Sequence, residues 1–266
     1  MPGKLFQPVR EDILMATVSG GAYLTDTHAG SVMHGTAAGN DDIFASFGHD
    51  TILGGNGDDF ISSTGGNAHI EAGSGNDIFM TSGGHDFIST GDGSDDYVHA
   101  VGGNDTVLGG AGHDLITVGG QHNFVQAGPG DSVIYGGSGN DTLIGGVGND
   151  VIHAGSGNEF LSGGEGNNTL YAGNGSDTMM GGPGENTFVF GNGSGKAMVL
   201  DFHDGDMLQI AHNMNGLNIA SPQDLLAHVT DDQGNAVITL GHETITLMNV
   251  KAEDIQNNPS GFFTVH

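Results

Sequence analysis

The chain has 266 residues, 51 of them Gly and none Cys, and its 4 Lys plus Arg stand against 32 Asp plus Glu for a formal net charge of −28. With no Lys or Arg between Arg10 and Lys196, nucleic acid and anionic membranes are poor partners. With only 6 Pro and no glycine at every third residue, a collagen helix is excluded.

A chain this acidic repels itself on compaction unless a cation neutralises it, and a divalent metal offsets two charges per ion. The absence of Cys suits an oxidising exterior reached without a disulfide pathway. No apolar run approaches the length of a membrane-spanning helix.

In chain order, Met1 to Arg10 lacks the apolar core of a cleaved signal peptide, so export would need another signal. Val9 to Val18 predicts one short amphipathic helix, and Ala22 to Thr25 a strand. Together residues 1–35 read as an N-terminal cap.

From 36 to 189 the sequence repeats. Gly54-Gly55-Asn56-Gly57-Asp58-Asp59-Phe60-Ile61-Ser62 returns as Gly109 to Thr117, Gly136 to Ile144 and Gly145 to His153. The pattern is G-G-x-G-x-D-x-U-x, where U is large and apolar. Allowing one inserted residue near Asp95-Asp96, about seventeen units fit in phase. Position eight is Ile43, Ile52, Ile61, Ile70, Phe79, Ile88, Val98, Val107, Ile116, Val125, Ile134, Leu143, Ile152, Leu161, Leu170, Met179 and Phe188, apolar without exception. A flexible low-complexity linker would not hold that phase. Each unit therefore predicts a glycine turn and then a short strand whose U residue faces one way and whose neighbours face the other. The turn gathers carbonyl oxygens around one carboxylate, and hard oxygen donors of that kind suit Ca²⁺.

These nonapeptides resemble the RTX (repeats-in-toxin) calcium-binding family. The resemblance implies an all-β chain, a right-handed parallel β-roll solenoid of about 17 nonapeptide repeats between N- and C-terminal caps. Two units make a coil, and each ion lies between two turns of the same edge. Carried over by position, the resemblance assigns the metal-binding carboxylates to Asp41, Asp50, Asp59, Asp77, Asp86, Asp95 or Asp96, Asp105, Asp114, Asp141, Asp150 and Asp177. Ala68, Asn123, Ser132, Glu159, Asn168 and Asn186 replace the aspartate elsewhere, so their sites are expected to be degraded. The best pairs are Asp41/Asp59, Asp59/Asp77, Asp77/Asp95, Asp95/Asp114 and Asp86/Asp105.

After Val189 the repeat fades, and residues 190–266 read as a C-terminal β-rich cap. Phe188-Val189-Phe190, Asp201-Phe202 and Gly205-Asp206-Met207-Leu208 are similar to the segment that follows the roll in serralysin-type proteases and other type I secretion substrates. The end, Asn249 to Val265, resembles the uncleaved secretion signal of that route, which implies a secreted or cell-surface protein. Ser221-Pro222 predicts the start of a short helix, and Ala236–Leu240 and Thr244–Met248 alternate as strands.

The segments flanking the roll are short for a catalytic domain, and Gly241-His242-Glu243-Thr244 lacks the second His of a zinc-protease helix. No enzyme is expected. His49, His85, His113 and His122 share position five, where a ladder of imidazoles would suit a second metal such as Zn²⁺ or Ni²⁺. The outward strand positions of alternate units, Phe60, Ile78, Tyr97, Leu115, Val133 and Val151, form an apolar stripe. It predicts a homo-oligomer through that face, and with it a structural, self-associating calcium protein of a matrix, surface layer or adhesive assembly. The alternative is a non-catalytic accessory module that binds a polysaccharide.

Overall fold

The computed structural model describes residues 14–18, 21–26 and 29–266. It is an all-β parallel solenoid of about ten turns, with half of its residues in strands. Two sheets face each other. Sheet A has 13 strands and sheet B has 14. Successive nonapeptides alternate between them, so residues about eighteen apart pair in parallel. In sheet A, Ile61 lies beside Phe79, Phe79 beside Val98 and Val98 beside Ile116. In sheet B, Ile52, Ile70, Ile88 and Val107 follow one another.

All seventeen position-eight side chains are 0 % exposed. They are the core, one large residue per strand, pointing inward from both sheets. Most strands run past the three residues x-U-x, as in Phe60–Thr64 and Leu115–Gly119. The reason is that position one of the next unit also turns inward. Ser63, Ala72, Ala100, Val118, Ala127 and Ala154 are all buried there. Inside the array these side chains are Val or smaller, and at its end Phe190 takes the same place.

The turns demand glycine where neighbouring coils touch. Gly112 has φ of +130°, and a Cβ on it would collide with the Ser94 carbonyl one coil away. Side chains rarely adopt that backbone conformation, and none fits that gap.

The ladder extends beyond both ends of the nonapeptide array. β1 (Leu14–Val18) pairs antiparallel with β2 (Gly21–Thr25), and β2 with β3 (Val32–His34) supplies the first strand of each parallel ladder. The helix expected over Val9 to Val18 is therefore a strand from Leu14 on. Residues 9–13 lie outside the described residues. Pairing with β2 overrides an apolar pattern that suited either element.

At the other end, Lys196–Val199 and Met207–Ile210 add one more coil, so the stack does not stop at Val189. Phe263–Val265 then extends sheet A, and Glu243–Leu247 extends sheet B ahead of an antiparallel meander with Asn235–Leu240 and Val229–Asp232. The helix expected after Ser221 is a 3₁₀ helix, Pro222–His228, opened by Asp224 accepting the Ser221 N–H at 2.9 Å.

Candidate metal-binding turns

Turns that lead into sheet A form one edge of the roll, and turns that lead into sheet B the other. On the A edge, position six is Asp41, Asp59, Asp77, Asp96, Asp114, Ser132, Asp150, Asn168 and Asn186. On the B edge it is Asp50, Ala68, Asp86, Asp105, Asn123, Asp141, Glu159 and Asp177. Every one of these side chains is buried.

One oxygen of each aspartate is committed to backbone. Asp59 Oδ1 accepts the Asp41 N–H at 2.8 Å, Asp77 the Asp59 N–H at 2.7 Å, Asp96 the Asp77 N–H at 2.6 Å and Asp114 the Asp96 N–H at 3.0 Å. The B edge repeats this with Asp86, Asp105, Asp141 and Asp177. The inserted residue is thereby resolved in favour of Asp96. Asp95 is exposed and takes position five. The expected pairs Asp77/Asp95 and Asp95/Asp114 become Asp77/Asp96 and Asp96/Asp114, because only Asp96 stands two residues before the buried Val98.

The second oxygen is different. Oδ2 of Asp50, Asp59, Asp77, Asp96, Asp105, Asp114, Asp141, Asp150 and Asp177 is buried without a hydrogen-bond partner. In the turns of Asp59, Asp114 and Asp150 it faces the glycine at position one of its own turn and a carbonyl of the next coil. A Cβ on Gly109 would lie 2.6 Å from both Asp114 Oδ2 and the Ala127 carbonyl oxygen. On Gly54 it would lie 2.7 Å from Asp59 Oδ2 and 2.8 Å from the Ala72 oxygen.

Two acceptors facing one space, one of them an unpaired carboxylate oxygen, are unfavourable unless something positive lies between them. The titration behaviour says the same. Burial, helped by neighbouring carboxylates, pushes Asp77 and Asp114 up to about 7. It pushes Asp59, Asp105 and Asp150 up to about 6. Burial also raises Asp86, Asp96 and Asp141.

Asp41 departs from the others. Both its oxygens are partnered, by the N–H groups of Ala22 and Thr36 and by the Thr36 hydroxyl. Glu159 departs in the opposite sense from expectation. Read from sequence as a degraded site, it buries two unpartnered oxygens, and burial together with the adjacent Asp177 drives it up to about 9.

The donor set is carboxylate and carbonyl oxygen throughout, which fits Ca²⁺ rather than a metal that prefers nitrogen or sulfur. Asp50, Asp59, Asp77, Asp86, Asp96, Asp105, Asp114, Asp141, Asp150 and Asp177 would hold it, with Glu159 added. The ion would supply the positive charge that Oδ2 lacks and tie adjacent coils together. Because each turn offers one carboxylate and otherwise backbone, no group of three or more His, Asp or Glu converges among the described residues.

The imidazole ladder does not form. His49, His85 and His122 share the B edge, but Asn67 and Asn104 separate them, and His113 alone lies on the A edge. Position five proves to be a second hydrogen-bond ladder that sequence reasoning missed. Asp131 donates its N–H to His113 Nδ1 at 3.1 Å, and Asn104 its N–H to His85 Nδ1 at 3.1 Å. Asp58, Asn76 and Asp95 are held the same way.

Asp206 was also missed. Its Oδ1 accepts the Asn186 N–H at 2.8 Å and Oδ2 the His203 N–H at 3.0 Å. The signal was present, since Asp206-Met207-Leu208 repeats the order of Asp59-Phe60-Ile61.

The family described as RTX calcium-binding nonapeptide repeat (4 copies) matches residues 36–70, 62–97, 90–125, 117–152 and 153–188, more than half of the chain. This chain belongs to that RTX family. Its repeats are thus of the kind that binds calcium in an RTX β-roll. No curated protein matches it. Among solved structures, the RTX chain is similar to the extracellular lipase LipA from Serratia marcescens at 17 % identity and a TM-score of 0.32. The match covers 91 % of this chain and 42 % of the lipase chain, so this chain spans less than half the lipase's length.

Proposed function

We propose that this RTX chain is a non-catalytic calcium-dependent protein of the cell exterior that folds on meeting Ca²⁺ and associates with further copies through the outer face of sheet A. The buried, unpartnered Oδ2 atoms carry the calcium part of this reading. RTX turns resemble extracellular calcium modules, with dissociation constants on the order of 10⁻⁴–10⁻³ M. Such sites stay empty in a cytosol and fill outside it. The similarity of residues 190–266 to type I secretion substrates supports export by that route. A non-catalytic role is supported by where the flanking residues go, since Phe190 to Val265 is spent on an added coil and on closing both sheets.

Association is supported by the outer face of sheet A. Tyr23, Ile78, Met80, Tyr97, Leu115, Tyr135 and Tyr171 are large, apolar or aromatic, and exposed. At positions seven and nine of the sheet A nonapeptides the only Asp, Glu, Lys or Arg is Asp42, with His99 and His153 besides, on a chain of net charge −28. β1 extends the sheet at its edge and leaves this face uncovered over the residues described. A face with so few charges on so acidic a protein is where two copies meet with least repulsion.

Replacing Ile78, Leu115 and Val133 with Lys spares the core and the turns. In saturating calcium the parent should sediment as an assembly and the triple variant as a monomer. Equal sedimentation would end the association reading.

A polysaccharide-binding role has one observation in its favour. Tyr135, His153 and Tyr171 stack with centroids 4.6 and 4.2 Å apart, beside a groove of about 390 Å³ lined by His153, Tyr171, Val189 and His266. Retardation of the calcium-loaded protein in polysaccharide gels, abolished by Tyr171→Ala, would support it.

A further inference from the structure

The replaced positions are not equivalent losses. Ala68 offers no polar atom to its turn. Asn168 and Asn186 keep the backbone contact of the aspartates, since Asn168 Oδ1 accepts the Asp150 N–H at 2.9 Å and Asn186 Oδ1 the Asn168 N–H at 3.0 Å. These bonds fix which end of each amide is oxygen. The nitrogen then stands where an aspartate has its unpartnered Oδ2. A Cβ on Gly163 would lie 2.5 Å from Asn168 Nδ2 and 2.6 Å from the Gly181 carbonyl, as one on Gly109 would meet Asp114 Oδ2 and the Ala127 carbonyl.

From that place Asn168 Nδ2 donates to the carbonyls of Gly164 at 3.4 Å, Gly166 at 3.4 Å and Gly181 at 3.2 Å. Asn186 Nδ2 donates to Gly182 at 2.9 Å and Gly184 at 3.4 Å. The acceptors are the carbonyls of positions two and four and, for Asn168, of position one in the next coil. The position-one carbonyl of the next coil is the one that stands opposite Oδ2 in the Asp59 and Asp114 turns. With the fully partnered Asp206 next along the edge, three consecutive A-edge turns leave no position-six oxygen in need of an ion. The B edge of the same coils, at Glu159 and Asp177, still carries unpartnered carboxylate oxygens.

We propose that the side-chain amides of Asn168 and Asn186 stand in for calcium, so that the last A-edge turns close without metal and give the roll an ion-independent end against which the calcium-dependent coils stack. A neutral N–H₂ donor supplies the positive end that the carbonyls require, and it removes the carboxylate charge that would otherwise need neutralising.

The inference rests on the calcium reading of the aspartate turns, and native mass spectrometry of the full chain with Ca²⁺, together with hydrogen exchange in EDTA, separates the two. Asn168→Asp should hold one more Ca²⁺ than the parent and lose exchange protection in EDTA at the Asp150 and Asn168 amides. Asp150→Asn should hold one fewer ion and gain protection in EDTA at the Ser132 amide, and it decides the matter if Asn168→Asp fails to fold. An unchanged ion count in the variant that folds would overturn the substitution idea. So would a parent whose Asn168 turn exchanges in EDTA as fast as its Asp114 turn. A parent that binds no Ca²⁺ would overturn the calcium reading as well.

Discussion

The coils around Ile61, Val98 and Ile116 and the segment after Val189 continue the same two sheets, yet they are held together differently. Each central strand contributes one large apolar side chain, and each turn buries a carboxylate with an oxygen left over. In the C-terminal segment Phe190, Ile210, Met214, Leu225, Ile238, Leu247, Ile255 and Phe263 are all buried, in a core many residues deep. The buried acids there are few, chiefly Asp206 and Glu243, and Asp206 is fully partnered. Apolar burial stabilises the end at roughly 25 cal/mol per Å² whatever the ions present. The centre has little such burial per coil and a surplus of negative charge, so its stability depends on what neutralises the turns. A solenoid can therefore keep one hydrogen-bonded ladder throughout while its ends and its middle respond to different solutes.

The largest way to break the contrast is with protons. Aspartates in the ion-free roll titrate at about 6 to 7, well above their ordinary 3.8. A carboxyl whose folded value is raised favours the folded state fully only below its unfolded value, and that contribution is lost as pH rises through the folded value. In EDTA the central coils should therefore gain β signal as pH is lowered from 8 to about 4.5, with the C-terminal segment little changed. In calcium, the concentration needed for half-folding should rise as pH falls through 7 and 6. Circular dichroism across pH, with and without chelator, measures both. A central roll most stable in EDTA at pH 8 would contradict the assignment.

A smaller effect sharpens the contrast residue by residue. Asp96→Ala removes a backbone hydrogen-bond acceptor and a ligand together, and should cost about 1–3 kcal/mol of folded-state stability in calcium. Asp95→Ala touches an exposed position and should stay within about 0.5 kcal/mol. Urea unfolding of both in saturating calcium checks the order. Equal costs would return the ligand role to Asp95 or divide it.

The core was legible because burial leaves position eight no freedom. A charged residue there would lie between two sheets, so even units without the glycines of positions one and two, such as that around Ile70, keep the phase. The ten-residue unit ending at His99 was legible only as an alternative, since both Asp95 and Asp96 satisfy the pattern. Burial of Val98 is what selects Asp96. Position five stayed hidden because Asn, Asp, His and Ser can all accept a backbone N–H, so no single residue type marks it. The strand over Ala22 to Thr25 was legible, but its place in the parallel ladder was not, because Ala22 stands where a turn has its aspartate. Asn168 looked like a defect because sequence shows the lost charge and not the carbonyls that its amide reaches.

At neutral pH the aspartate turns are expected to close only around a divalent cation. Hydrogen exchange of the whole chain at pH 7.5, followed residue by residue in EDTA and then in millimolar calcium, tests it most directly. In EDTA the strand amides from Phe60 to Leu143 should exchange as in an unfolded chain while those around Ile238 and Leu247 stay protected. Calcium should restore protection to the central strands. Full protection from Phe60 to Leu143 in EDTA would show that the roll closes on its own apolar column, and the calcium account of its folding would be wrong.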